Sequence, residues 1–399
     1  MGANGMLTAD AFRRELANIL TWWATYAPDE QHGGFYGQID DDNRPNPDAP
    51  KGAVLHARIL WTFSAACTHA PTPEYLALAR RAYDYITAHF LDKAHGGVYW
   101  SVDAAGRPLD TKKQIYALAF TIYGLAEYYR ASGEAAALGH ARALYESIET
   151  HSFDARHGGY LEALSRDWQP LADLRLSAKD ANEKKSMNTH LHVLEAYATL
   201  YQVWPDAGLR RQLKALLLDF ADHIVDPQTS HLTLFFDEAW QPRPGPISYG
   251  HDVEAAWLLL EAAEVLAEPG LVAHFRRAAV ALARAAAEGL AVDGGLAYER
   301  EPGGHLDADR HWWVQAEAVV GFYNAYQVSG EAVFRDYSAG TWQFVQAHVL
   351  NQLRGEWYWG IQPDHTPMPG QDKAGFWKCP YHNGRACLEM LRRLAVVSE

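Results

Sequence analysis

The sequence predicts an all-α fold, a closed (α/α)6 barrel of six outer/inner helix hairpins with short β-turn strands at one end. Three observations carry that prediction: a turn motif that recurs along the chain, a one-sided apolar helix before each turn, and a nearly all-round apolar helix after it. The motif reads HGGFYG from His32, HGGVYW from His95, HGGYLE from His157, DGGLAYE from Asp293 and RGEWYWG from Arg354, with SHLTLFF from Ser230 a copy that lacks the glycines. Counted at Gly33, Gly96, Gly158, His231, Gly294 and Gly355, the steps are 63, 62, 73, 63 and 61 residues. A fixed period of this length is the mark of stacked helix pairs. Six units fill residues 1–399 as one domain, with no span left for another.

Each unit begins with an outer helix. DAFRRELANILTWWATYA, from Asp10, and PEYLALARRAYDYITAHFL, from Pro73, place apolar residues three and four apart with arginines between them. That spacing buries one side of a helix and leaves the other in water. Gly-Gly followed by alternating aromatics predicts a tight turn and a short strand. The inner helices then follow in order: KGAVLHARILWTFSAAC, KQIYALAFTIYGLAEYYRA, MNTHLHVLEAYATLYQVW, YGHDVEAAWLLLEAAEVL, HWWVQAEAVVGFYNAYQV and YHNGRACLEMLRRLAVV. Each is apolar on most faces and must be buried. A closed ring buries all six at once, whereas an open solenoid needs polar caps at its ends, and neither terminal unit has that character. The third unit has the longest step from turn to helix. Its stretch LRLSAKDANEKKS, from Leu174, is polar without helical spacing and predicts a lid-like loop on the rim where the inner helices begin.

Composition removes several classes of function. The 399 residues are 48% hydrophobic and 21% charged, an ordinary globular balance. A net charge of −14 argues against nucleic acid or an anionic membrane as partner. No apolar run reaches the roughly 20 residues of a spanning helix, and MGANGMLTADAFRREL lacks a secretory pattern. Cys67, Cys379 and Cys387 are too few and too scattered for a disulfide framework. The expectation is a soluble cytoplasmic protein, monomeric or a weak homodimer. Its 14 Trp and 21 Tyr are plentiful enough to line a sugar site as well as a core.

In such a ring the inner helices run roughly parallel, so their N-termini meet at one end. Arg58 comes from the first unit, Tyr116 from the second, and Asn188, His190 and His192 from the third. The fourth gives His251 and Glu254, and the fifth gives Trp312, Trp313, Gln315 and Glu317. The sixth gives Trp377, Tyr381, His382 and Arg385. Singly, each is readily a satisfied core residue; six coincident positions on one rim are not so easily dismissed. His251, Asp252 and Glu254 pose the choice most sharply, because they suit a positive helix end, a metal or an acid/base pair. No H-E-x-x-H and no cysteine cluster supports a metal, and no G-x-G-x-x-G or P-loop supports a nucleotide, so no cofactor is expected. A Glu254/Glu317 carboxylate pair would suit glycoside hydrolysis but leaves the histidines without work. Proton transfer by two neutral imidazoles beside a sugar carbonyl uses them. Arg58 and the helix ends would then face the enediolate oxygens.

At these residues the chain resembles a known family. KGAVLHARILWTFSAA, SMNTHLHVLEAY, ISYGHDVEAAWLL, HWWVQAEAVVGF and WKCPYHNGRACLE look like the signature blocks of the cellobiose 2-epimerases of the N-acylglucosamine 2-epimerase superfamily, and the likeness runs from about Phe12 to Leu394. The resemblance implies an (α/α)6 barrel. It implies cofactor-free conversion of the reducing-end glucose of β-1,4-linked disaccharides to mannose through a cis-enediolate. His251 and His382 match the acid/base pair, and Glu254 matches the carboxylate that supports the first of them. Arg58 matches the arginine at the O1/O2 side of the sugar, and Asn188 and His192 match polar contacts to it. Trp313, or its neighbour Trp312, and Trp377 match stacking tryptophans, and Tyr116 is a looser match. An aldose–ketose isomerase of mannose or a related monosaccharide would use the same barrel. A glycoside hydrolase or a sugar-binding protein is a more distant reading.

Overall fold

The computed structural model describes residues 7–396, the side chain of Val396 excepted. Among them are twelve α-helices in six outer/inner pairs. The outer helices are α1 (Ala9–Tyr26), α3 (Pro73–Tyr85), α5 (Ala135–His151), α7 (Ala207–Asp219), α9 (Pro269–Ala286) and α11 (Ala332–Phe344). The inner helices are α2 (Ala53–His69), α4 (Ile115–Ser132), α6 (Met187–Val203), α8 (Tyr249–Leu266), α10 (Trp312–Ser329) and α12 (Tyr381–Val396). Thr8, Thr72 and Asp206 cap the outer helices α1, α3 and α7, each side chain accepting a first-turn N–H.

The ring is closed. Each inner helix lies against the next, and α12 returns to pack on α2. The apolar inner helices therefore bury residues on every side, as in α4, where Ile115 to Tyr128 are all buried. Glycines set the closest helix approaches. A Cβ on Gly321 of α10 would stand 2.3 Å from the Val253 carbonyl oxygen of α8.

The predicted strands are present and form a second, smaller ring at the end where the inner helices start. The two residues before an inner helix pair antiparallel with the turn of the following unit: Lys51–Gly52 with Ser101–Val102, Lys113–Gln114 with Ala163–Leu164, and so on to Arg310–His311 with Gly360–Ile361. A bridge from Ile39 to Ala374 joins the first unit to the last. The same seam is tied by Trp23 Nε1 donating to Glu356 at 2.7 Å and Trp357 Nε1 donating to Glu15 at 2.8 Å.

A repeated ion pair holds this ring and was not foreseen. Lys51, Lys113 and Lys185, two residues before their helices, reach Asp29, Asp92 and Asp154 at 2.7, 2.9 and 3.0 Å. Each aspartate starts the turn whose glycine follows four residues later. The lysines are buried, so breaking a pair would strand an unpaired charge.

Candidate active site

Helix geometry decides which residues face the barrel axis. The second and sixth residues of a helix are i and i+4 and lie on one side. Tyr116, Asn188, Trp313 and His382 are second residues of their inner helices. Arg58, His192, Glu254 and Glu317 are sixth residues. All but Glu317 line one cavity of about 540 Å³ at the strand-ringed end, together with His251, Trp312 and Trp377. That volume lies within the range of small-molecule sites.

α8 departs from the register. Its second residue is Gly250, where a Cβ would sit 2.6 Å from the Trp313 ring. The missing side chain lets Trp313 lie over α8, beside the next residue, His251. The Trp313 ring is 4.8 Å from His251 and 5.7 Å from His382, so it borders both imidazoles. Of the tryptophan pair it is the half-buried one. Trp312 is buried against Trp359 at 4.5 Å and under the Lys378 ammonium at 5.4 Å, and it contributes a wall.

The histidines have different supports. His251 Nδ1 is 2.8 Å from the Ser248 hydroxyl. His382 Nδ1 is 2.7 Å from Glu317 Oε1, and His192 Nδ1 is 3.0 Å from Glu195 Oε2. Burial keeps the pocket imidazoles neutral. It pushes His251 down to about 3, assisted by the neighbouring His192. His382 is lowered by burial first and then by Arg58 and Arg385. Arg58 donates to the Tyr116 hydroxyl at 2.7 Å and to the Trp377 carbonyl at 3.4 Å. Its Nε and the Asn188 Oδ1 are buried without partners, leaving polar atoms unspent at the cavity wall.

Beneath the cavity Arg385 gathers three carboxylates. Its Nη2 donates to Oε1 of both Glu254 and Glu317 at 2.6 Å, and its Nη1 donates to Glu195 and to the Tyr381 hydroxyl. Burial and the Glu317 charge push Glu254 upward. Burial also opposes the charge of Glu195, yet Arg385 and His192 outweigh it and bring that carboxyl down to about 2. Glu254, Glu317 and His382 bring ligand atoms within 4.8 Å of one another. The cation already seated on both glutamates is the Arg385 guanidinium.

Several expectations are corrected. Glu254 does not support His251: its carboxylate is drawn to Arg385, a stronger attraction than a neutral ring, and its other near neighbour is His382 Nδ1 at 3.9 Å. Glu317 does not line the cavity, being buried under His382 and Arg385 with the Trp257 N–H on its second oxygen at 3.1 Å. His190 lies outside the cavity. Its Nε2 accepts the Tyr160 N–H at 2.9 Å and its Nδ1 meets the Ser186 carbonyl at 2.6 Å. The same fourth position of the inner helix clamps the turn in other units, through His56 on Phe35, Asp252 on Leu232 and Gln315 on Leu296. Asp252 is thus a turn clamp, which also meets His231 Nδ1 at 2.6 Å, and more than a helix-end charge.

Known proteins share this fold. The family model for N-acylglucosamine 2-epimerase matches residues 34–386. A cellobiose 2-epimerase of Bacteroides fragilis is 52% identical, over 94% of this chain and 95% of its own. This chain belongs to the N-acylglucosamine 2-epimerase family. The solved structure of cellobiose 2-epimerase from Spirochaeta thermophila superposes on this family member with a TM-score of 0.90, at 41% identity over 98% of both chains. A D-mannose isomerase of Marinomonas mediterranea is 25% identical, over 95% of this chain and 97% of its own.

The mouth of the cavity in this epimerase-family chain is bordered by the predicted rim loop and by residues that the sequence did not single out. The long loop of the third unit borders the cavity from Leu174 to Ala181, and Tyr298, Glu299 and Asp307 of the fifth unit border it opposite. Lys179 Nζ lies 5.9 Å from the Tyr298 ring, linking the two sides of the mouth. Ser248 and Glu195, which hold the histidines, are the other omissions. Glu195 had a visible signal, a carboxylate three residues after a buried histidine.

Proposed function

We propose that this protein epimerises C2 of the reducing-end glucose of β-1,4-linked disaccharides such as cellobiose, lactose or mannobiose, giving mannose, with the whole chain as one catalytic domain. One observation carries the reading: two neutral histidines border a tryptophan in one cavity, with a guanidinium on the adjoining wall. After ring opening, one imidazole takes the C2 proton. Arg58, which donates to the Tyr116 hydroxyl and stays positive in spite of its burial, balances the charge that moves onto O1 and O2 in the cis-enediolate. The second imidazole, having taken up a proton from water, delivers it to the opposite face of C2, and the first returns its proton to water. Trp313 beside both histidines and Trp377 nearby supply flat surfaces for sugar rings. The relatives named cellobiose 2-epimerase support this substrate class.

A second reading has the mannose isomerase relative behind it. Protonation of the same enediolate at C1 yields a ketose. Incubation with cellobiose, lactose and mannose in D₂O, followed by NMR, separates the two. The expected product is a mannose-ended disaccharide with deuterium at C2 and none at C3, C4 or C5. A ketose as main product favours the isomerase, and product without any C2 label removes the two-histidine mechanism.

A further inference from the structure

Arg385 is the most heavily engaged charge in the barrel, and the proton-transfer scheme leaves it without a task. It is 2% exposed, packed between the Trp257 and Tyr381 rings at 4.7 and 4.2 Å, and it touches carboxylates from α6, α8 and α10. Two of those carboxylates, Glu195 and Glu317, each meet the Nδ1 of a cavity histidine. A planar guanidinium presents parallel donors that a point charge cannot imitate. A carboxylate that accepts from it stays an acceptor, and an acceptor on Nδ1 requires the hydrogen to be there.

We propose that Arg385 is a positioning residue that sets the tautomer of both His192 and His382, holding the hydrogen on Nδ1 and the Nε2 lone pair toward the cavity. The inference rests on the proposed proton transfer for its purpose, but the tautomers can be read without it. In the chain from His192 through Glu195, Arg385 and Glu317 to His382, every link is a hydrogen bond between buried side chains. Without the guanidinium, Glu195 and Glu317 would lose their shared counter-charge beside a Glu254 already pushed upward, and one of them would take up a proton. A protonated Glu317 or Glu195 can donate to Nδ1, which would turn the ring's hydrogen outward and remove its lone pair from the cavity.

The test is two-bond ¹H–¹⁵N correlation on protein labelled with ¹⁵N-histidine, which separates the two neutral tautomers. His192→Gln and His382→Gln assign the signals. Both rings are expected as Nδ1–H in the natural chain and as mixed or Nε2–H in Arg385→Met. Arg385→Lys keeps the charge but not the fork, so it should shift at least one ring even if the methionine variant does not fold. The pH profile of kcat/KM supplies a second readout. Glu317, Glu254, Glu195, His192, Tyr381, Arg58 and Arg385 surround His382. Losing the Arg385 cation should move the acidic limb up by roughly one unit or more. Unchanged tautomers in a folded Arg385 variant would overturn the proposal, whatever the reaction proves to be. Shifted tautomers in an enzyme that labels no C2 position would uphold it and remove only the epimerase mechanism.

Discussion

His251 and His382 share a cavity but not a support. His382 has a carboxylate at 2.7 Å behind it, which can stabilise an imidazolium as it forms, while His251 has only the Ser248 hydroxyl at 2.8 Å. Both are expected to be essential. His251→Ala and His382→Ala should each lower kcat by about 10²–10⁴-fold, the usual contribution of a positioned acid or base. Circular dichroism should be unchanged, because both rings border a cavity rather than fill a core. Near-normal turnover in either variant would take that residue out of the mechanism. The sequence displays His-x-x-Glu twice on inner helices, at His192–Glu195 and His251–Glu254. Spacing alone makes the two equivalent. Only the first forms the bond, since Arg385 arrives from α12 and takes Glu254, a long-range competitor that no local pattern reveals. His190 is the converse case. Its place on the rim was legible, but its direction, toward the turn rather than the cavity, depends on the Tyr160 N–H thirty residues away. His190→Ala should therefore cost about 1–3 kcal/mol of stability for the stranded N–H and leave kcat largely intact, as denaturant melts and kinetics together would show.

Elements position these side chains through a few close approaches. Gly250 is the clearest, because a Cβ there would meet Trp313 at 2.6 Å and the ring would have to move. Gly250→Ala should cost some stability, since a Cβ would also meet the buried Val314 side chain at 2.8 Å, and should lower kcat/KM by up to about 10²-fold through misplacement of Trp313 beside the histidines. Normal kinetics would show that Trp313 need not lie where it does. The loop of the third unit was legible from its polar, aperiodic composition, and it borders the cavity mouth from Leu174 to Ala181 as that composition suggested. What anchors it was not legible: Gln114 of the second unit donates to the Leu174 and Arg175 carbonyls at 3.1 and 2.9 Å, and Asn182 closes the loop on itself. Shortening the loop between Arg175 and Asn182 should reduce disaccharide turnover more than the melting temperature. An intact kcat/KM would make it a mere connection.

At the scale of the molecule, the barrel was readable because six repeats must bury six apolar helices, and only closure does so. The charges that fasten it were not readable, and they set how its stability depends on pH. Asp29, Asp92 and Asp154 lie below the ordinary aspartate range: burial works against their charge, but the buried lysines, with Arg166 at Asp92, outweigh it, and Asp154 comes down to about 2. A depressed carboxylate contributes stability that is complete above its unfolded value near 3.9 and is lost as pH falls through the folded value. Glu15, Glu162 and Glu299 are the opposite case, raised to about 7 chiefly by burial. Their contribution is complete below the unfolded value near 4.3 and is lost as pH rises through about 7. Burial also depresses His56, His190, His251 and His311 to between about 3 and about 4, so they contribute stability that is complete above the unfolded value near 6.5 and is lost as pH falls, which offsets the glutamates between pH 5 and 6.5. The melting temperature should therefore fall below about pH 4 and decline above about pH 6.5. Glu15 gives the alkaline side a location, because its bond from Trp357 closes the seam between α1 and the last unit. Glu15→Gln keeps an acceptor for that indole but cannot ionise, and it should flatten the decline without moving the acid limb. Scanning fluorimetry from pH 3 to 9 on both proteins measures this directly. An unchanged decline above pH 6.5 in Glu15→Gln would mean that this buried acid does not govern how the ring holds shut.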